Sequence, residues 1–463
     1  MIKPRIYFLM EGKKRELDAR IYFGLKASLH NFSIVIGAKS KIFDNRNRIQ
    51  KGIIIFKSLG ANNLKQIKEY KRLGFMVGSV DEEGMSFFND DEYGEKVNTK
   101  CFEYVDIFFC WGKNDYQAII KKFPQQKDKV HIIGNSRVDV LKKPVNKKYF
   151  DESEAIKKKY GEFILVNTMF TKANHMQLKK NGMSYIESLI NDGYNPNGLR
   201  VAFAKPYLKF QEENLKLLKN FISNFSNKYP NKKIIVRPHP GEDFEMWIKF
   251  AKKQKNVEVI IDDKSTCSWL IAATKNVSSN CTTVVESYLI GKIISANYKV
   301  YGDEKVEYKL PKITGINITK DEELIEFLND EKEFKLDINL TDSLVKNSIH
   351  NIGEDQCSVD NFVKSLNSEN FIKEKFLEFN IKDKFSGFMG SLLLNIYYYI
   401  RYIYRKLFTK QDKILDAFIK QKFNRLDRPE IKIILEQYRD LLNIKENIKL
   451  SQIYPQVFSI EKK

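Results

Sequence analysis

Short apolar runs alternating with amphipathic stretches constrain the fold of this chain more than any other feature. Arg5 to Met10, Phe32 to Ile36, Gly52 to Phe56, Phe75 to Val80, Val105 to Cys110 and Val130 to Ile133 are each four to six residues long. Between them, Glu16 to Leu29, Leu64 to Leu73 and Asn114 to Lys122 carry helical spacing. A strand covered on both faces reads as a continuous apolar run, and repeated strand–helix alternation implies a parallel sheet with helices on either side. A charged stretch, Lys142 to Tyr160, interrupts the pattern. It resumes at Phe163-Ile-Leu-Val-Asn167 and continues through Lys233 to Arg237, Val257 to Ile261, Asn276 to Ser278 and Lys292 to Ala296. At 463 residues the chain exceeds one typical core. The expectation is an α/β chain of two doubly wound, Rossmann-like domains facing a cleft, over residues 1–150 and 151–340. A helical return segment over 341–370 and a basic, aromatic helical extension over 371–463 follow. In such sheets ligands sit beyond the carboxyl ends of the strands, so strand-ending residues are where chemistry is expected.

Charge and cysteines narrow the function. Seventy-nine Lys and Arg against 59 Asp and Glu leave a net charge of +20, which favours anionic partners or is a lysine-rich solvated surface. A basic membrane- or nucleic-acid-binding protein is the non-enzyme alternative, but no RRM, KH, helix-turn-helix or zinc motif supports a nucleic-acid partner. The five cysteines are odd in number and contain no CxxC pair, so neither a disulfide framework nor a zinc site is expected. They read as reduced thiols of a cytoplasmic protein. The apolar run at the start is too short for a signal peptide and reads as a first buried strand. No Walker A or GxGxxG motif is present. The acidic groups Asp81-Glu82-Glu83, Asn89-Asp-Asp91 and Asp262-Asp263 lack the context of a metal site, so no metal and no cofactor are expected.

Four strand-ending segments carry the candidate chemistry. Ile234-Ile-Val-Arg237 runs into Pro238-His239-Pro240, which puts Arg237 and His239 at a strand end with the backbone fixed by proline. The plain alternative is a turn with a packed histidine. Val277-Ser278-Ser279-Asn280-Cys281-Thr282-Thr283 places small polar groups before a helix. Thr282 or Asn280 is expected to cap that helix, whose N–H groups then suit anionic oxygens, and Glu286 falls one turn on. An ordinary N-cap is the plain alternative. Glu11, before Gly12 in the first strand-to-helix turn, is placed to deprotonate a hydroxyl. Asn167 and Thr168 repeat the strand-then-polar layout in the second half, and there a loop-stabilising role is equally open.

Several of these segments together resemble one bacterial family over about residues 4–365. Glu11, Lys13, Arg15, Glu16, Leu17 and Asp18 match its N-terminal pattern. Val80-Asp-Glu-Glu-Gly84, Val105-Asp-Ile-Phe-Phe-Cys-Trp-Gly112, Gly134-Asn-Ser-Arg-Val-Asp139, Asn167-Thr168 and the Arg-Pro-His-Pro segment also match. The chain is similar to the surface carbohydrate biosynthesis proteins, which resemble GT-B glycosyltransferases that use CMP-activated sugars, such as sialyl- and Kdo transferases. That resemblance implies His239 and Arg237 on the CMP phosphate, with Ser278, Ser279, Thr282 and Thr283 lining it. Asn167 and Thr168 join the donor side, Glu286 holds the ribose, and Arg15, Asp81 and Glu82 lie on the acceptor side. Glu11 is the general base, and His239 aids departure of the leaving group as a phosphate ligand. The sequence departs from the family at Gly134-Asn-Ser136 and across Asn351 to Ser358.

The implied partners are a nucleotide-sugar donor and a glycan or lipid-linked glycan acceptor. The implied activity is transfer of Kdo or another nonulosonate in capsule or lipopolysaccharide synthesis. A teichoic-acid-type CDP-glycerol or CDP-ribitol phosphotransferase is the nearest alternative, and a UDP-sugar 2-epimerase a weaker one. Residues 371–463 hold 19 Lys and Arg against 11 Asp and Glu, and Phe385 to Ile400 has no charge. This uncharged stretch is short for a span. Followed by Arg401, Arg405, Lys406 and Lys410, it reads either as a peripheral anchor on the anionic inner membrane or as a helix packed on protein.

Overall fold

The computed structural model describes residues 3–86, 88–303, 305–353, 355–368 and 425–463, with a few single positions between 400 and 423. The proposed membrane segment over 385–410 therefore lies outside the described residues, apart from Ile400. Among the described residues no helix is long and apolar enough to cross a membrane.

The chain divides into two compact units, each built on its own sheet. The first unit takes Met1–Glu82, Lys96–Val140 and the described residues after 348. Its strands are β1 (Arg5–Met10), β2 (Ser33–Ala38), β3 (Ile53–Phe56), β4 (Met76–Val80), β5 (Ile107–Cys110) and β6 (Val130–Ile132). They run parallel in the order β2-β1-β3-β4-β5-β6. The second unit takes Glu83–Glu95 and Leu141–Ser348. Its strands are β7 (Ile164–Asn167), β8 (Ile234–Arg237), β9 (Val257–Val259), β10 (Lys275–Ser278), β11 (Ser295–Tyr298) and β12 (Ile316–Ile318). Their order is β12-β11-β10-β7-β8-β9, again parallel. Both units are doubly wound and Rossmann-like, as the alternation implies.

Burial on both faces explains the continuous apolar runs. Ile164, Val166, Ile234 and Val236 face one core with Phe221, Phe225 and Trp247. The intervening Leu165 and Ile235 face the other, with Phe163, Trp269 and Leu270. The period of two along each strand thus feeds two hydrophobic layers.

Among the described residues, the C-terminal extension holds the expected helical structure and adds strands that the sequence expectation did not include. Helix Arg428–Leu441 is present, but it is followed by the hairpin β13 (Ile448–Tyr454) and β14 (Val457–Lys462). β14 pairs antiparallel with β2 and extends the first sheet to eight strands. Helix Lys13–Ser28 lies against it: a Cβ on Gly24 would stand 2.8 Å from Ile460 Cδ1. The hairpin escapes sequence reading because its turn is Pro455-Gln456, with Gln456 at φ 61°, rather than the Asn-Gly or Asp-Gly that marks such turns.

The segments around Gly134 to Ser136 and Asn351 to Ser358 meet in the first unit. Asn351 Oδ1 accepts from Asn135 N–H at 3.0 Å, and its Nδ2 donates to the Asn135 carbonyl and to Asp139. Asp139 also accepts from Ser358 N–H and Oγ. Gly134 has φ 82°, and a Cβ there would fall 2.1 Å from Asn351 Oδ1, so glycine is required on both counts.

Candidate active site

The second sheet changes direction between β7 and β10: β8 and β9 are added on one side, β11 and β12 on the other. The carboxyl ends at such a reversal flank a crevice. Register aligns the sequence candidates there. Asn167 pairs with Arg237 on one side and with Ser278 on the other.

Hydrogen bonding then separates residues that hold the loops from those left with capacity. Ser278 Oγ and Thr283 Oγ1 bond each other at 2.8 Å. Asn280 is left-handed at φ 48°. It ties β10 to the following chain through Asn297 Oδ1, the Val306 carbonyl and Tyr308 N–H. Neither it nor Thr282 caps helix Thr283–Gly291 with its side chain, contrary to the sequence expectation. Asn280 is committed to those three bonds, and Thr282 has already turned helical. Asn167 Nδ2 and Ser279 Oγ, in residues 4% and 3% exposed, have no partner. A buried polar group left so costs about 1–3 kcal/mol, and here two flank the same strand reversal. Thr282, Thr283 and Glu286 are half-buried on the first turn of the helix beside them.

His239 is half-buried and its tautomer is set. Nδ1 accepts from Gly241 N–H at 3.0 Å, so the proton of the neutral ring is on Nε2. Its backbone N–H donates to Thr168 Oγ1 at 3.2 Å. Arg237, expected on the phosphate, has Nη2 engaged and Nε without a hydrogen-bond partner. Its guanidinium donates to Asp262 at 2.8 Å and to the Lys264 carbonyl at 3.1 Å, and lies over the Trp269 ring. Burial lowers its pKa, against the raising effect of Asp262. It anchors the β9 side of the crevice.

Sequence reading missed Glu242, which organises this end of the sheet. Fully buried, it accepts from Thr168 Oγ1 at 2.6 Å, Phe170 N–H at 2.9 Å, Trp247 Nε1 at 2.8 Å and Asn174 Nδ2 at 3.4 Å. Burial raises its pKa, and these donors oppose the shift. It lies three residues past His239 within a polar run, so only its neighbours reveal it.

The first sheet reverses between β1 and β3. Glu11, Lys39 and Lys57 follow the ends of β1, β2 and β3. Glu11 Oε1 lies 2.8 Å from Lys39 Nζ and its Oε2 2.7 Å from Lys57 Nζ. Lys39 also donates to Asn63 Oδ1 at 2.7 Å. Burial raises the Glu11 pKa, but Lys57 and Lys39 outweigh it and bring it down to about 2. A carboxylate held so tightly is a weak proton acceptor as it stands. The amides of Glu11 and Gly12 donate to the buried Glu16 carboxylate at 3.3 and 2.8 Å. Sequence reading missed both lysines, each a single basic residue past a strand in a lysine-rich chain.

The remaining acceptor-side candidates divide. Arg15 is half-buried on helix Lys13–Ser28, and Asp81 is half-buried with its carbonyl accepting from Trp111 Nε1. Glu82 is 1% exposed, its Oε1 paired with Arg20 and its Oε2 without a hydrogen-bond partner.

No protein-family model matches the chain, and no curated protein matches it significantly. Solved structures with a similar fold include the Methanocaldococcus jannaschii UDP-GlcNAc 2-epimerase in complex with UDP-GlcNAc and UDP. It is 13% identical, with a TM-score of 0.47, covering 79% of this chain and 100% of that one. The Neisseria meningitidis UDP-GlcNAc 2-epimerase bound to UDP-GlcNAc is 12% identical, TM-score 0.46, with 80% and 100% covered. The wall teichoic acid polymerase TagF is 11% identical, TM-score 0.40, with 81% and 90% covered. Likeness at this level carries no activity across to this chain.

Proposed function

We propose that the protein is a metal-independent glycosyltransferase of GT-B-like architecture that takes a nucleotide-activated sugar and builds bacterial surface polysaccharide. The observation that carries the reading is the pair of buried, unpartnered groups, Asn167 Nδ2 and Ser279 Oγ, at the strand reversal of the second unit. Oxygens of a bound phosphate would satisfy both, and His239 Nε2–H would add a third donor. Such fixed donors favour negative charge growing on a departing nucleotide. Glu286 would accept from a ribose hydroxyl, and Glu11 of the first unit would take the acceptor's proton.

The finer reading is a CMP-linked donor carrying Kdo or another nonulosonate, with a glycan or lipid-linked glycan as acceptor. Calorimetric titration of the full chain with CMP, CDP, UDP and GDP tests it. Cytidine nucleotides are expected to bind tightest, with binding weakened in Ser279→Ala. A uridine preference would remove the CMP reading, and epimerised rather than transferred sugar would then move the assignment to a UDP-sugar 2-epimerase. With CDP-glycerol as donor, a phosphodiester product would move the assignment to the phosphotransferase. Glu11→Gln should spare nucleotide binding and lower turnover, and full activity in that variant would remove Glu11 as the base.

A further inference from the structure

The first unit has a second feature at its own strand reversal. Two ammonium groups, from Lys39 and Lys57, converge on the single carboxylate of Glu11. Lys39 and Lys57 side chains are 18% and 16% exposed and that of Glu11 33%, so the cluster is sheltered yet reachable. Its three side chains carry more positive than negative charge. Asn63, which also accepts from Lys39, is neutral and fixes that ammonium without cancelling it. The turn amides of Glu11 and Gly12 do not serve an incoming anion, because Glu16 already occupies them. The cationic groups seen at this carboxylate are the two lysines.

We propose that Lys39 and Lys57 form a binding site for an anionic group, a phosphate or a carboxylate, on the acceptor substrate, and that this group competes with Glu11 for the two ammoniums. As an acceptor site this rests on the glycosyltransferase reading, but binding of the anion does not. The site lies beyond the carboxyl ends of β2, β1 and β3, where an open α/β sheet receives ligands. The competition has a chemical consequence. While both lysines hold Glu11, its carboxylate is kept charged and weakly basic. An anion that draws them away returns Glu11 toward an ordinary or raised pKa, because its burial then acts unopposed. The docked acceptor would thus strengthen the proton acceptor it needs, while an uncharged acceptor would leave it restrained.

The test uses the full chain at constant ionic strength, with inorganic phosphate, a hexose phosphate and a hexuronate as separate probes. Glu11→Gln removes the competitor and should tighten binding of the preferred anion by about fivefold or more. Lys39→Met and Lys57→Met should each weaken it by at least as much. In the wild type, carbon-13 NMR of the Glu11 carboxyl should titrate near pH 2 alone and move upward as the anion is added. This second readout needs no lysine variant to fold. The strongest probe separates a phosphorylated acceptor from a uronate-bearing one. Unchanged or weaker anion binding in Glu11→Gln would overturn the proposal, as would a Glu11 titration indifferent to all three anions. Nucleotide binding, measured in parallel, reports on the second unit. Loss of the nucleotide result with the anion result intact would remove the glycosyltransferase reading and leave the anion site standing.

Discussion

The two units solve the same local problem in the same way and then diverge. Each begins with a central strand running into a turn, and each fills that turn with one of its own carboxylates: Glu16 under the amides of Glu11 and Gly12, and Glu242 under Thr168 and Phe170. In many doubly wound folds a ligand phosphate occupies this place. Here the position is taken by the protein's own carboxylates. In the first unit the flanking groups are full charges, Lys39 and Lys57 around Glu11. In the second they are dipoles, an amide, a hydroxyl and an imidazole N–H. Full charges select an anion from a distance but must give up a resident partner to bind it. Neutral donors exert little long-range pull, yet they accept an oxygen without first breaking an ion pair. On the proposed reading, the first site exchanges one anion for another, and the second completes the open hydrogen bonds of Asn167 and Ser279.

The comparison breaks most readily at Glu242. Glu242→Ala strands the donors of Thr168, Phe170, Asn174 and Trp247 in the core and should cost about 3–5 kcal/mol in urea unfolding. A loss under about 1 kcal/mol would mean that the carboxylate is not the internal stand-in described. His239→Ala comes next, with nucleotide binding weakened roughly 10- to 100-fold by calorimetry. Its half-buried ring should leave the melting temperature within a few degrees of the parent. Ser279→Ala sharpens the same point with opposite signs. Nucleotide affinity should fall about fivefold while stability holds or rises by up to about 1 kcal/mol, because the hydroxyl removed has no partner. Lost stability instead would make Ser279 structural.

The smallest effect concerns acid. The folded-state pKa of Glu11 lies below its ordinary value of 4.5, at about 2. Its contribution to stability is therefore present above about pH 4.5 and lost as pH falls toward 2. Glu11→Gln should flatten the pH dependence of unfolding in that window. An unchanged acid limb would show that the lysines do not hold the carboxylate in solution.

Legibility in the sequence followed the range of the interactions involved. Strand–helix alternation is local, so the parallel sheets and most strand positions could be read directly, as could the presence of Asn167, His239 and Ser279 at strand ends. What could not be read depends on partners far along the chain. The Asp262 that pairs with Arg237 lies 25 residues along the chain. The Arg20 that pairs with Glu82 lies on the helix after the first strand. Glu242 gains its role from the loop after β7 and from Trp247 on the next helix, and the two lysines gain theirs from Glu11 after β1. The hairpin at 448–462 shows the same limit: its pairing strand, β2, is more than 400 residues away in the chain.

That pairing bears on the order in which the protein is made. Every strand of the second unit, β7 to β12, leaves the ribosome before β14 does, although β2 emerged earlier still. During synthesis, then, β2 waits with an open edge while the whole second sheet is completed, and an open edge invites other strands to pair with it. Chains interrupted between 349 and 447 would carry a finished second sheet and an unguarded first one. Their expected fate is self-association through β2 rather than unfolding of the whole.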